Sequence, residues 1–190
     1  MSYLYLGGGE DKGRKIVTPS GKKVRPMTGF LRKVIFDIVQ ERIPGSVVFD
    51  LFAGSGSLGF EALSRGASQV YFLEKDPYIC SLLIRNIKTC GFENRARVLK
   101  KDFMHSFPFP SRGIKPDIVF VDPPFSMNSG TVLKKLYNFR VVLGNALIVF
   151  RHPEEQDPFL DCGFFEIKNR RTYGRSVLVF GSFKLDFQTG

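Results

Sequence analysis

The chain contains no tryptophan, three cysteines and two histidines in 190 residues, and 18 acidic residues stand against 28 basic ones. Each shortage narrows what it can be. Cys80, Cys90 and Cys162 make an odd count with no CxxC pair. That argues against a disulfide framework and fits three reduced thiols in a cytoplasmic protein. His105 and His152 stand isolated, so no metal site is expected, and each reads as a surface or loop residue. No apolar run approaches the ~18 residues needed to cross a bilayer. The opening Met1-Ser2-Tyr3-Leu4-Tyr5-Leu6 lacks the basic n-region of a signal peptide.

What is present is enough for a globular protein. Hydrophobic residues make up 43% of the chain, and the length fits one domain with a small extension. The formal net charge is +10, an excess that favours a polyanionic partner; with no apolar run long enough to cross a bilayer, no membrane partner is expected. The basic residues are unevenly placed. Lys12, Arg14, Lys15, Lys22, Lys23, Arg25, Arg32 and Lys33 crowd the N-terminal segment, and Lys168, Arg170, Arg171 and Arg175 crowd a late turn. Stacking surfaces fall to 20 Phe and six Tyr, most of the Phe being core.

Residues 1–27 read as an extension, with Tyr3–Leu6 and Arg14–Thr18 paired as a hairpin. A helix capped near Thr28 follows, with Leu31, Val34, Ile35, Ile38 and Val39 at helical spacing, ended by Pro44-Gly45. Residues 28–190 then form the main domain. Strands and helices alternate: strand Val47–Phe52, helix 57–65, strand Val70–Glu74, a helix opened by Asp76-Pro77, strand Arg97–Lys100, strand Ile118–Asp122, helix 129–142 and strand Ala146–Phe150. A hairpin of Phe164–Asn169 and Ser176–Phe180 closes the series. Successive βα units imply right-handed crossovers and one doubly wound, mostly parallel sheet with helices on both faces.

Two motifs carry the chemistry. Gly54-Ser55-Gly56-Ser57-Leu58-Gly59 matches GxGxxG between a strand and a helix, and Glu74 ends the next strand about 20 residues on. Glycines there permit a tight turn and close approach of a ligand, and an acid at Glu74 suits ribose hydroxyls. Phe52, Ala53, Gly54, Ser55, Gly56, Gly59, Glu74 and Lys75 are therefore candidate cofactor-binding residues. Asp50 precedes the loop, where a carboxylate repels a pyrophosphate but suits the ammonium of S-adenosylmethionine. Its alternative is a loop-bracing carboxylate. Asp102, with Phe103 beside it, follows the third strand, where a side chain reaches an adenine amino group; its alternative is a solvated turn acid.

The second motif, Asp122-Pro123-Pro124-Phe125, ends a central strand. The prolines make the turn rigid. An exocyclic amine on a nucleobase is a poor nucleophile because its lone pair is delocalised. The Asp122 carboxylate and Pro123 carbonyl can accept hydrogen bonds from that amine and aim its lone pair, while Phe125 stacks on the extruded base.

These stretches are similar to a known family. Gly13-Arg14-Lys15, Arg25-Pro26, Thr28, Arg32 and Val34-Ile35-Phe36 carry the likeness, with residues 50–59, Glu61-Ala62-Leu63-Ser64-Arg65-Gly66-Ala67, Asp122–Phe125 and Tyr173-Gly174. The chain resembles the bacterial 16S ribosomal RNA guanine-N2 methyltransferases of the RsmD type. It departs from that pattern at Met27, Gly29, Lys33 and Asp37. The resemblance implies a Rossmann-like class I methyltransferase fold of seven strands, the last inserted antiparallel, and S-adenosylmethionine as cofactor. It further implies methyl transfer to a guanine N2 within the small ribosomal subunit or its assembly intermediate. Lys12, Arg14, Lys15, Arg25, Arg32 and Arg171 are the expected RNA contacts, and a monomer is expected. The alternatives are an adenine-N6 methyltransferase, disfavoured by the lack of a spare target-recognition block, an RNA-binding module with an inactive pocket, and a nicotinamide dehydrogenase.

Overall fold

The computed structural model describes residues 2–19, 27–106, 113–139, 146–160 and 162–184. Among these, nine strands and four α-helices form two sheets. The small sheet pairs β1 (Ser2–Tyr5) antiparallel with β2 (Lys15–Thr18). The large one contains β3 (Val47–Asp50), β4 (Gln69–Glu74), β5 (Ala96–Lys100), β6 (Ile118–Val121), β7 (Leu147–Pro153), β8 (Phe165–Tyr173) and β9 (Ser176–Phe183). Its order is β5-β4-β3-β6-β7-β9-β8. The first five are parallel, and β9 lies antiparallel between β7 and β8. This is the Rossmann-like methyltransferase topology that the family likeness implied.

The strand residues alternate strictly between two cores. Val48, Val70, Phe72, Ile118, Phe120, Val149 and Phe180 face α1 (Gly29–Val39), α2 (Ser57–Ser64) and α3 (Pro77–Thr89). Phe49, Leu73, Val119, Val121, Ile148, Phe150 and Val179 face α4 (Ser129–Asn138). That period of two is the mark of a sheet covered on both faces. Phe36, Phe60, Phe72 and Phe120 are fully buried, each contributing ~1.5–3 kcal/mol of burial. Helices start where short polar side chains take up free N–H groups. Thr28 accepts from Leu31 N (3.3 Å), Asp76 from Tyr78 N (2.8 Å) and Asn128 from Thr131 N (2.8 Å).

Several boundaries differ from the expected ones. β3 stops at Asp50 and β6 at Val121, because the chain turns there into the loops of the candidate site. β7, β8 and β9 run longer than their apolar cores, since ladder pairing continues through the polar residues at their ends. Ile38 points outward, 37% exposed, while Phe36 is buried in its place. His152 is no surface residue: it is fully buried in β7, with Nδ1 2.9 Å from Pro153 O. The end of the helix expected over 129–142 lies outside the described residues after 139. Among the described residues no helix is long and apolar enough to cross a membrane.

The loop joining β1 to β2 lies flat on the C-terminal end of α2. Glu10 N donates to Ser64 O (2.8 Å), Ser64 Oγ donates to Gly8 O (2.6 Å) and Asp11 N donates to Ser64 Oγ (3.1 Å). Gly9 has φ +79°, and a Cβ there would stand 1.9 Å from Ser64 O. The glycine run is thus a packing requirement.

Candidate active site

Between Asp50 and α2 the chain makes its glycine turn. Gly56 has φ +75°, and a Cβ there would meet Phe60 and Leu83 at 2.6 and 2.7 Å. A Cβ on Gly59 would stand 2.2 Å from the Phe72 ring. Both glycines therefore seat α2 against β4 and the neighbouring helix. Neither is among the residues that line the cavity described below, whereas Gly54, Ser55 and Ser57 of the same turn are. Gly54 does line it, and its N–H donates to Glu74 Oε2 (3.0 Å). Glu74 Oε1 accepts from Lys75 N (2.8 Å) and Asp76 N (2.9 Å). One carboxylate thus fastens the glycine turn to the end of β4.

Asp50 also stands behind the cavity wall. It is 2% exposed and accepts from Gly59 N at 3.2 Å, so the contact observed is the bracing one. Burial pushes its carboxyl up to about 7; the Gly59 N–H opposes this, and the nearby Asp122 and Glu74 carboxylates add to it.

The cavity, about 730 Å³, opens at the C-terminal ends of the parallel strands, where ligands bind in open α/β sheets. Phe52, Ala53, Gly54 and Ser55 wall it from the glycine turn, Glu74 and Lys75 from the end of β4, and Asp102 and Phe103 from the segment after β5. Phe52 and Phe103 pack with ring centroids 5.1 Å apart. Asp102 Oδ1 accepts from Met104 N (2.9 Å), and Oδ2 faces Lys75 Nζ (3.4 Å) and His105 Nδ1 (3.3 Å). Burial acts to raise the Asp102 carboxyl, but the Met104 N–H, His105 and Lys75 together hold it below the usual carboxylate range.

Asp122, Pro123, Pro124 and Phe125 form the opposite wall. Asp122 Oδ1 accepts from Arg151 Nε, and the Arg151 guanidinium lies 4.7 Å from the centre of the Phe125 ring. Burial raises the Asp122 carboxyl and Arg151 pulls it back down. Among the described residues no other partner reaches Asp122 Oδ2 or the Pro123 carbonyl. Pro124 O is already taken by Met127 N (2.8 Å). Asp122 and Pro123 both line the cavity, and these two acceptors are not taken up within the described part of the chain. Sequence reading missed Arg151, although a cation interrupting Leu147-Ile148-Val149-Phe150 was a visible signal. Met27 and Thr28, at the start of α1, also line the cavity. Among the described residues no three His, Cys, Asp or Glu gather as metal ligands.

The expected RNA contacts divide. Arg32 is turned inward, 9% exposed, donating from Nη2 to Tyr5 O (2.7 Å) with Nε 3.4 Å from Glu61 Oε2. It is a tie between α1, α2 and the hairpin, which corrects its assignment to RNA. Arg14 donates to Cys90 O (2.6 Å) and pairs with Asp11 (3.1 Å). Lys15 is exposed over the Tyr3 ring (3.5 Å), and Lys12 is exposed in the loop. These three sit at the C-terminal ends of α2 and α3, the end of the sheet away from the cavity. Along α3, whose 13 residues span ~20 Å, Ile79 lines the cavity near one end and Cys90 O accepts from Arg14 at the other. Arg171 is exposed on β8, and Arg25 lies outside the described residues.

The family model described as "Conserved hypothetical protein 95" matches residues 4–182. The chain belongs to this family. Ribosomal RNA small subunit methyltransferase D of Haemophilus influenzae is 38% identical over 166 residues, 86% of this chain and 85% of that one. The protein of the same name from Escherichia coli K12 is 41% identical over 118 residues, and the match spans 58% of that relative's length. The solved structure of yhhF from Escherichia coli superposes with a TM-score of 0.84 at 27% identity, covering 96% of this chain and 99% of that one. With such neighbours the fold is that of the RsmD-type class I methyltransferases.

Proposed function

We propose that the chain transfers a methyl group from S-adenosylmethionine to the exocyclic N2 of a guanine in small-subunit ribosomal RNA. The observation that carries this reading is that Asp122, Pro123 and Phe125 line the same cavity as Gly54 and Glu74, with Asp122 Oδ2 and the Pro123 carbonyl not taken up by other described residues. Two acceptors at a rigid turn match the two hydrogens of an aryl amine. Accepting both favours a pyramidal nitrogen with its lone pair directed into the cavity. Phe125, held under Arg151, offers a face for an extruded base.

The cavity fits the cofactor chemically. In this reading Glu74 would hold ribose hydroxyls, Phe103 and Ile79 would flank an adenine and Asp102 would meet its amino group, and all four line the cavity. The carboxylates of Glu74 and Asp102 on the wall, with Asp50 behind it, suit a cationic ligand better than a pyrophosphate. When bound, S-adenosylmethionine supplies a methyl group already activated on a sulfonium. The choice of guanine N2 over adenine N6 rests on the family. The names of the relatives support ribosomal RNA as substrate, and with it a cytoplasmic enzyme acting on the small subunit or its assembly intermediate. Residues 1–27 are read as an extension on the methyltransferase domain, and the protein as a monomer.

Labelled methyl transfer to unmodified small subunits, protein-free small-subunit RNA and duplex DNA, followed by nucleoside mass spectrometry, tests this. N2-methylguanosine from the ribosomal samples is expected. N6-methyladenosine would keep the chemistry and overturn the substrate, and no transfer with cofactor binding intact would overturn both.

A further inference from the structure

The basic residues of the hairpin lie at the wrong end of the sheet to hold RNA next to the cavity. At the cavity rim stands a different surface. Phe30, on the first turn of α1, is 60% exposed. Its ring meets Tyr173 edge-on, centroids 5.3 Å apart and planes at 82°. Thr28, two residues earlier, lines the cavity, so at most ~7 Å of chain separates Phe30 from the cavity wall.

Tyr173 reaches the same rim from the other side. It ends β8, where Tyr173 pairs with Ser176 and Ser176 with Pro153, just beyond Arg151 on β7. Arg171, two residues before Tyr173, shares its face of the strand. Arg171 is exposed and has no acidic partner among the described residues. Its neighbours Arg170 and Arg175 are paired, with Asp157 (2.6 Å) and Glu155 (2.8 Å). An exposed Phe30 against a half-buried Tyr173, an uncommitted arginine and a cavity one step away make a joined surface.

We propose that Phe30 and Tyr173 form a stacking ledge for unpaired bases of the RNA beside the target nucleotide, with Arg171 on the adjoining phosphate. This rests on the reading of the cavity as a site for an RNA base. Stacking on aromatic faces is tolerant of sequence, and a neighbouring cation holds the backbone. RNA is favoured over a protein partner because the ledge is continuous with the base-sized cavity and its flank is cationic.

The chain has no tryptophan, so Tyr173→Trp introduces a single reporter. The probes are a nine-nucleotide single-stranded RNA and an abasic strand of equal charge. Quenching by the first and not by the second is expected. Phe30→Leu with Tyr173→Leu should weaken oligonucleotide binding about tenfold or more with its salt slope unchanged. Arg171→Gln should instead flatten the slope by about 0.7. Phe30→Leu alone, at an exposed position, keeps the test open should Tyr173→Leu fail to fold.

Equal quenching by both strands, or unchanged affinity in the leucine variants, overturns the ledge. A reporter response to a ribosomal-protein fraction and to neither RNA strand does so as well, by naming a protein occupant. Methyl transfer to small subunits by the unsubstituted chain separates the two ideas. If it proceeds, and the leucine variants keep their KM, the ledge fails alone. If it does not, while the RNA strand still quenches, the ledge stands and the enzymatic reading fails.

Discussion

Two carboxylate–arginine groups lie inside this chain, and they differ in what is left over. Glu61, on α2, is 1% exposed, and both its oxygens are engaged. Arg65 Nε donates to one at 2.8 Å; Gly7 N donates to the other at 2.8 Å, with Arg32 Nε 3.4 Å away. Asp122 has one arginine on one oxygen, and the residue lines a cavity. Glu61 is a closed knot that binds the N-terminal hairpin to the domain. Asp122 is an open one, with one oxygen not taken up within the described part of the chain. A buried ion pair is weak evidence of stabilisation or of function; the unspent acceptor tells the two apart.

The comparison can be broken at either end. Glu61→Ala leaves Arg32, Arg65 and the Gly7 N–H without their acceptor and should destabilise the fold by ~3–5 kcal/mol. A thermal midpoint equal to that of the unsubstituted chain would show that the knot holds nothing. Asp122→Ala should leave the midpoint and cofactor affinity near their original values. It should lower methyl transfer at least ~10²-fold, ~2.7 kcal/mol. Calorimetry showing an equal loss of cofactor affinity would move Asp122 to the cofactor side of the site.

Arg151→Met sharpens the contrast, with a smaller effect of about tenfold near neutral pH. Asp122 is held up by burial and pulled down by Arg151, with Asp50 and Glu74 as the other acids nearby. Without Arg151 its carboxyl rises further, so the ionised acceptor is lost as pH falls and regained as pH increases. The rate of Arg151→Met should therefore recover in alkaline buffer, while Arg151→Lys keeps a profile close to the original. A pH-independent loss in the Met variant would show that Arg151 acts only through packing. The smallest effect concerns Asp50. Its carboxyl, pushed up to about 7, is protonated below that pH and negative above it. Affinity for the cationic cofactor should rise with pH and level off above about 7, a trend that isothermal titration across pH 5.5–8.5 measures and that Asp50→Asn should abolish.

Sequence patterns carried the fold and picked out several residues that line one cavity, Gly54, Glu74, Asp102 and Asp122 among them. The alternation of apolar runs, the helix starts at Thr28 and Asp76, and the glycine turn are local, so neighbouring residues announce them. Asp122–Phe125 was legible for the same reason. What was not legible is which distant partner each charge takes. Arg32 stands in a basic segment and looks like an RNA contact, yet its partners come from Tyr5 and Glu61. Arg151 stands alone in an apolar strand, and its partner lies 29 residues back in the chain. Gly56 and Gly59 fit a ligand-binding pattern, and only the positions of Phe60, Leu83 and Phe72 show that they serve packing.

The antiparallel place of β9 has a consequence for the order in which the molecule assembles. β8 comes before β9 in the chain but touches the sheet only through it. Until Ser176–Phe183 slots in beside β7, Phe165–Tyr173 has no edge to join, and β7 remains an open edge of its own. Tyr173 therefore cannot reach Phe30 while β9 is absent, although the glycine turn and Asp122 belong to strands already paired. The rim should mature after the chemical centre, so a folding intermediate caught before β9 docks would hold the cofactor cavity without the surface beside it.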